Sequence, residues 1–130
     1  MIFRSKAPLR IGLAGGGTDV SPYSDEFGGA ILNATISLYA HASIELLEEE
    51  TIILQALDRN ETETYPFSTS LPVNGKLDLL KGVYNRIQKD YGIPCKGFRL
   101  TTFVDAPAGS GLGTSSTLVV AILGLSLIHI

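Results

Sequence analysis

The sequence predicts an α+β fold, and three observations lead to it. Strand-like segments rich in β-branched and apolar residues fill much of the first 57 residues. An amphipathic helix pattern follows them, and after it comes a strand that runs directly into a glycine-rich loop and a second helix. The predicted order is strand, strand, strand, helix, strand, loop, helix, with no internal repeat, linker or low-complexity segment.

The first strand is read over Leu9 to Ala14, ending at the three glycines Gly15, Gly16 and Gly17. Between Ala30 and Leu47, "GAILNATISLYAHASIELL" alternates enough for one or two strands. "TIILQAL" is a further strand, and the run Glu48, Glu49, Glu50 places a hairpin turn between it and its predecessor. Residues 58–74 are polar with two prolines and predict a loop with room for a short strand.

"KLDLLKGVYNRIQKDYG" is the clearest helix. Leu79, Leu80, Val83, Tyr84, Ile87 and Tyr91 recur at helical spacing, and Lys81, Arg86, Lys89 and Asp90 fall on the opposite side. Gly92 and Pro94 supply its stop signal. "GFRLTTFVD" predicts the last strand, and from Thr114 "TSSTLVVAILGL" predicts a helix apolar almost all round, hence buried.

With 130 residues, 45% of them hydrophobic and 18% charged, the chain suits one domain with a substantial core. Its net charge of −3 and the lack of any basic cluster argue against a nucleic-acid partner. The acidic residues, among them Glu45, Asp58, Glu61 and Glu63, read as solvated strand ends and loops. A single cysteine, Cys95, leaves no internal disulfide and fits a reducing compartment. It follows Pro94, and neither histidine stands near it in sequence, so thiol catalysis has little support. The start lacks the apolar core of a signal peptide, and the apolar stretch from Leu118 is too short to span a bilayer. The expectation is a soluble, cytoplasmic protein without a membrane partner.

"DAPAGSGLGTSSTL" begins at Asp105 and raises the functional question. A strand, a glycine-rich turn and a helix start form an anion site, because first-turn N–H groups are unpaired and carry partial positive charge. The P-loop signature fails, since no lysine follows Gly113, and the dinucleotide fingerprint fails on spacing. By itself the loop reads either as a phosphate site or as a plain turn capped by a hydroxyl residue. A second stretch, "APLRIGLAGGGTD", places Arg10 on a strand and Asp19 just after the glycines. A structural ion pair beside a glycine turn explains these two residues alone. Together, the two stretches favour phosphate chemistry on a small molecule.

These two stretches resemble the motifs of the GHMP kinases. "PAGSGLGTS", from Pro107 to Ser115, is similar to the family pattern P-x-x-x-G-L-G-[ST]-S. "APLRIGLAGGGTD", from Ala7 to Asp19, is similar to A-P-x-R-x-x-L-x-G-x-x-T-D of its sugar-kinase branch. The resemblance runs from residue 3 to about residue 124. With "VSPYSDEFGGAILNATISLYA" it looks like the D-glycero-D-manno-heptose 7-phosphate kinases. L-fucokinases look related, and Gly16 and Gly17 stand where galactokinases carry acidic and histidine residues, which makes galactose a poor candidate.

The resemblance implies a ribosomal protein S5 domain 2-like N-terminal domain that phosphorylates the anomeric hydroxyl of a sugar phosphate with ATP and magnesium. It implies that Pro107, Gly109, Ser110, Gly111, Leu112, Gly113, Thr114, Ser115 and Ser116 hold the ATP phosphates, with Ser115 also on magnesium. Arg10 would sit near the transferred phosphoryl group as a catalytic residue, and a cation supplied from outside the loop would replace the absent lysine. Asp19, Gly16, Gly17 and Tyr23 would line the sugar site, with Ser24, Asn33 and Thr35 as weaker candidates beside the plain reading of a polar strand face. His41 reads as an ordinary strand residue.

Family kinases are more than twice this length, so the domain is expected to be truncated, and by itself poorly soluble and inactive. The third glycine-rich motif and the group that acts on the sugar hydroxyl are expected beyond the second motif. The tail "LSLIHI" matches the translation of a transposon library adaptor, which predicts a domain over residues 1–124 and a foreign segment at 125–130. His129 then has no functional role. The alternatives left open are a native helix that continues through the tail, and a nucleotide-binding module without catalysis.

Overall fold

The computed structural model describes residues 1–129, with side chains through residue 126. The side chains of residues 127–130, His129 among them, therefore lie outside the described part. Five strands, β1 (Ile2–Ala14), β2 (Leu32–Leu46), β3 (Thr51–Ala56), β4 (Glu61–Pro66) and β5 (Phe98–Val104), form one sheet in the order β1-β2-β5-β3-β4. Among the described residues three α-helices accompany it, α1 (Tyr23–Phe27), α2 (Asp78–Tyr91) and α3 (Thr114–His129), with a single 3-10 turn at Leu57–Arg59. The class is α+β, as the sequence predicts.

The sheet corrects the predicted hairpin. β3 does not pair with β2. It pairs antiparallel with β4 and parallel with β5, and β5 occupies the place beside β2. The glutamate run does turn the chain, but both edges of β3 are taken by later strands, β4 on one side and β5 on the other, while Ile52, Leu54 and Ala56 bury one face. Residues 61–66, within the stretch read as a loop with room for a short strand, form the edge strand β4, in which Glu61, Glu63 and Tyr65 are half-buried and Thr62 and Thr64 stay exposed.

Burial explains the architecture. Ile52 and Leu54 are wholly buried, and Leu80, Tyr84, Ile87, Phe98, Leu100, Ala121, Ile122 and Leu125 close around them between the sheet and the two long helices. Full burial of such a side chain contributes about 1.5–3 kcal/mol each. α3 runs without a break through Leu125, which is 2% exposed. Its apolar surface is only partly covered, however. Val120 is 58% exposed, against the expectation of burial all round, because the sheet and α2 cover one side of the helix and leave the other open.

α2 also departs from its predicted faces. Lys81, placed by spacing on the solvent side, has no exposure, and its Nζ donates to Asn74 Oδ1 at 2.8 Å. The ammonium lies 5.2 Å from the Tyr65 ring, so β4 and the preceding loop fold over the lysine stem. Leu79 and Tyr91, predicted for the buried face, are exposed at the ends of the helix.

The site end of the molecule is built on β1 and β2. β1 is an edge strand, which accommodates Pro8. A register shift between Pro8 and Arg10 turns Leu9 fully inward, against Ala40, Val104 and Ala106. Beyond that point the two strands continue past the core, and Arg10, Ile11, Leu13 and Leu32 are exposed. Among the described residues, no helix is long and apolar enough to cross a membrane.

Candidate functional site

Two motifs far apart in sequence meet at the N-terminus of α3. The small apolar cluster under Leu9 also receives Leu112 and Leu118, so Leu112 seats the glycine loop through its side chain and turns its backbone outward. There the Leu112 carbonyl accepts the Arg10 N–H at 3.3 Å. The Arg10 side chain then crosses the loop, and Nη1 donates to Ser116 Oγ at 3.4 Å. No ion pair joins Arg10 to Asp19 among the described residues, so the alternative reading of a structural pair between them is not realised.

The loop has the backbone that its glycines allow. Gly109, Gly111 and Gly113 all have positive φ, at 79°, 75° and 73°. Alternate left-handed residues turn successive N–H groups toward one side, which favours an anion. Ser110 N–H donates to the Pro107 carbonyl at 3.2 Å, closing the turn. Thr117 N–H pairs with the Gly113 carbonyl at 3.0 Å, so the N–H groups of Thr114, Ser115 and Ser116 make up the unpaired first turn of α3. Ser115 and Ser116 are exposed there, and Ser116 Oγ also bonds the Gly113 carbonyl at 3.3 Å.

Two depressions flank this helix start. One, of about 160 Å³, is lined by Ala7, Pro8, Arg10, Ser116, Thr117 and Val120. The other, of about 80 Å³, lies between Asp58 and Arg59 on one side and Thr114 and Ser115 on the other. A larger apolar cavity of about 240 Å³ lies elsewhere, among Tyr84, Cys95, Phe98 and Leu125, and none of the motif residues reaches it.

The first glycine stretch forms a separate lobe beyond the core. Gly16 and Gly17 are exposed with open space around them, and Asp19 is exposed beside them. Tyr23 stands on α1, half exposed, with its ring 5.1 Å from that of Phe27. Thr18 stitches this lobe together: its hydroxyl donates to Gly15 O at 2.7 Å and also bonds the Ala30 backbone. Sequence reasoning missed Thr18 and Gly29, although the small residues after α1 were the available signal.

It also missed Asp105, which opens the loop. The Asp105 carboxylate accepts the Tyr39 N–H at 2.8 Å and faces His41 Nε2 at 3.1 Å. The Tyr39 N–H bond, followed by His41, holds this carboxyl below the usual aspartate range. His41 lies between the rings of Tyr39 and Phe103. An acidic residue between a strand and a Pro-Gly loop was the legible sign.

A family model described as the GHMP kinases N terminal domain matches residues 78–128. The chain is 48% identical, over 120 residues, to a D-glycero-alpha-D-manno-heptose 7-phosphate kinase of Campylobacter jejuni, covering 92% of this chain and 35% of that protein. The chain carries a GHMP kinase N-terminal domain. A solved D-glycero-D-manno-heptose 1-phosphate kinase from Bacteroides thetaiotaomicron superposes with a TM-score of 0.88 at 57% identity. That match covers 95% of this chain and 40% of the other. An L-fucokinase/L-fucose-1-P guanylyltransferase of Bacteroides fragilis is 32% identical, covering 92% of this chain and 15% of that protein. The GHMP kinase domain described here thus spans about a third of the length of the heptose kinase it matches.

Proposed function

We propose that this chain is the nucleotide-binding N-terminal part of a sugar kinase that transfers a phosphoryl group from ATP to the anomeric hydroxyl of D-glycero-D-manno-heptose 7-phosphate. The observation that carries the reading is the junction of Arg10 with the glycine loop, through Leu112 and Ser116. The loop and the first turn of α3 would hold the triphosphate through backbone N–H groups. The Arg10 guanidinium, beside that helix start, would supply the positive charge that a lysine gives in a P-loop. Such transfer depends on positioning and charge stabilisation, and in this reading Arg10 would contribute to both.

Magnesium fits this arrangement. It keeps several waters and takes phosphate oxygens with only one or two protein ligands. The exposed hydroxyl of Ser115 opens into the same depression as Asp58. When bound, the ion would neutralise charge on the phosphates, and Ser115 would hold it. Asp19, Gly16, Gly17 and Tyr23 would receive the sugar on the outer lobe. In this reading the protein acts in the cytoplasm on small molecules, with no nucleic-acid or membrane partner.

The test is phosphoryl transfer by the protein as its gene encodes it, supplied with Mg-ATP and a panel of acceptors and followed by phosphorus NMR. A new anomeric phosphate on heptose 7-phosphate is the expected product. A heptose 1-phosphate has no free anomeric hydroxyl, so turnover of that acceptor alone would overturn the assignment. Turnover of L-fucose in preference would favour the second reading, which the 32% identity to an L-fucokinase supports. ATP binding without turnover of any acceptor would leave a binding module.

We take residues 1–124 as the kinase domain and 125–130 as foreign. Sequencing the source locus through codon 125 tests that boundary, because a genomic "LSLIHI" would remove it.

A further inference from the structure

We propose that Asp105 is a positioning residue: its carboxylate takes the place of its own backbone carbonyl at the end of the β2–β5 ladder, and so fixes where the glycine loop leaves the sheet. The register of the two strands runs from Leu46 opposite Phe98 to Ala40 opposite Val104. The next pair is therefore Tyr39 and Asp105. In an antiparallel sheet such a hydrogen-bonded pair exchanges two backbone bonds. One of them is present, with Asp105 N–H donating to the Tyr39 carbonyl at 2.9 Å. In the other direction the Tyr39 N–H donates at 2.8 Å to Asp105 Oδ2.

The substitution satisfies β2 while releasing the Asp105 carbonyl, and the chain behind it, from strand geometry. Ala106 turns under the sheet, 6% exposed, into the cluster with Leu9, Ala40 and Val104. Pro107 begins the turn closed by Ser110. The loop is thus fixed from below by Ala106 and Leu112, and from above by the Asp105 carboxylate.

His41 holds the carboxylate in that pose. Its Nε2 lies 3.1 and 3.2 Å from the two carboxylate oxygens, from a ring packed between Tyr39 and Phe103. Lys6, on the paired strand β1, stands over the Tyr39 ring at 4.5 Å and adds positive charge to the same face. The histidine side chain is 43% exposed, so its contribution is the smaller one. The backbone bond is charge-assisted and joins the loop to a central strand.

This role rests on the phosphate-holding reading of the loop for its purpose, and its test is separable from that reading. Amide hydrogen exchange is measured on the ligand-free protein for residues 108–113 and for α2, in Asp105→Ala, Asp105→Asn and His41→Gln. Asp105→Ala is expected to speed loop exchange about tenfold, the weight of one hydrogen bond to a charged group, with α2 unchanged. Asp105→Asn keeps an acceptor oxygen for Tyr39 and is expected to restore protection. His41→Gln is expected to change exchange less than about threefold.

Unchanged loop exchange in Asp105→Ala overturns the proposal, as does a uniform rise across the whole chain. An Asp105→Asn variant as damaged as Asp105→Ala would show that charge, not replacement of the carbonyl, matters, and would overturn it too. Should Asp105→Ala fail to fold, Asp105→Ser, whose hydroxyl falls short of Tyr39, gives the same readout. Mg-ATP affinity is measured in parallel. Wild-type protein that binds no ATP sinks the functional reading while leaving the exchange result to stand or fall by itself.

Discussion

The Arg10 guanidinium lies where a side chain on Gly113 would have to be: a Cβ built there would stand 2.1 Å from Nη1. Gly113 is also left-handed, at φ 73°, which costs an ordinary L-residue roughly 1–2 kcal/mol. Gly113→Ala should therefore displace Arg10 from the helix start and weaken Mg-ATP binding at least about tenfold, as measured by titration calorimetry. Arg10→Gln should lower binding in the same direction. Combining the two should cost less than the sum of the single effects, because both remove the same contact.

The outer lobe depends on a second close approach. A Cβ on Gly29 would lie 2.2 Å from the Thr18 carbonyl oxygen, a backbone atom that cannot swing aside. Gly29→Ala should open the lobe, and Thr18→Val should do the same by removing the hydroxyl that bridges Gly15 and Ala30. Proteolysis within residues 15–31 is the measurement, with cleavage accelerated in both variants and the melting of the core little changed.

Lys81 and Asn74 give an asymmetric pair of predictions. Removing Asn74 leaves a wholly buried ammonium without its side-chain acceptor, so Asn74→Ala should cost about 1–3 kcal/mol in urea unfolding. Lys81→Met keeps the stem and deletes the charge, and should stay within about 1 kcal/mol of wild type.

Acid should act on Asp105. Its folded carboxyl is held below the ordinary range by the Tyr39 N–H and by His41, so its stabilising contribution is complete above the unfolded value near 3.9. That contribution is lost as pH falls through the lower folded value. The stability advantage of wild type over Asp105→Asn should accordingly be flat above about pH 5 and shrink below pH 4. An advantage that grows on acidification would contradict the assignment.

What could be read from the sequence was what repeats locally. The periodicity of α2, the strand before the loop and the two glycine motifs all depend on near neighbours, and all are present. What could not be read depends on contacts across the chain. Lys81 looks solvent-facing by spacing because nothing in residues 78–91 announces that Tyr65 and Asn74 will close over it. The hairpin expected between β2 and β3 failed for the same reason: β5, which begins only at Phe98, takes the place beside each of them. His41 looked ordinary because its partner, Asp105, stands 64 residues away.

The strand order has a consequence for synthesis. Among the five described strands β5 is made last and lies in the middle of the sheet. Before residue 104 has left the ribosome, the chain can form only two separate hairpins, β1–β2 and β3–β4, each with an unsatisfied inner edge. Residues 98–104 then join the halves in a single event, and the glycine loop and α3 follow immediately behind. The phosphate-holding loop is thus translated just after the strand that assembles its platform, and until that moment the nascent protein presents two strand edges to any neighbour able to pair with them.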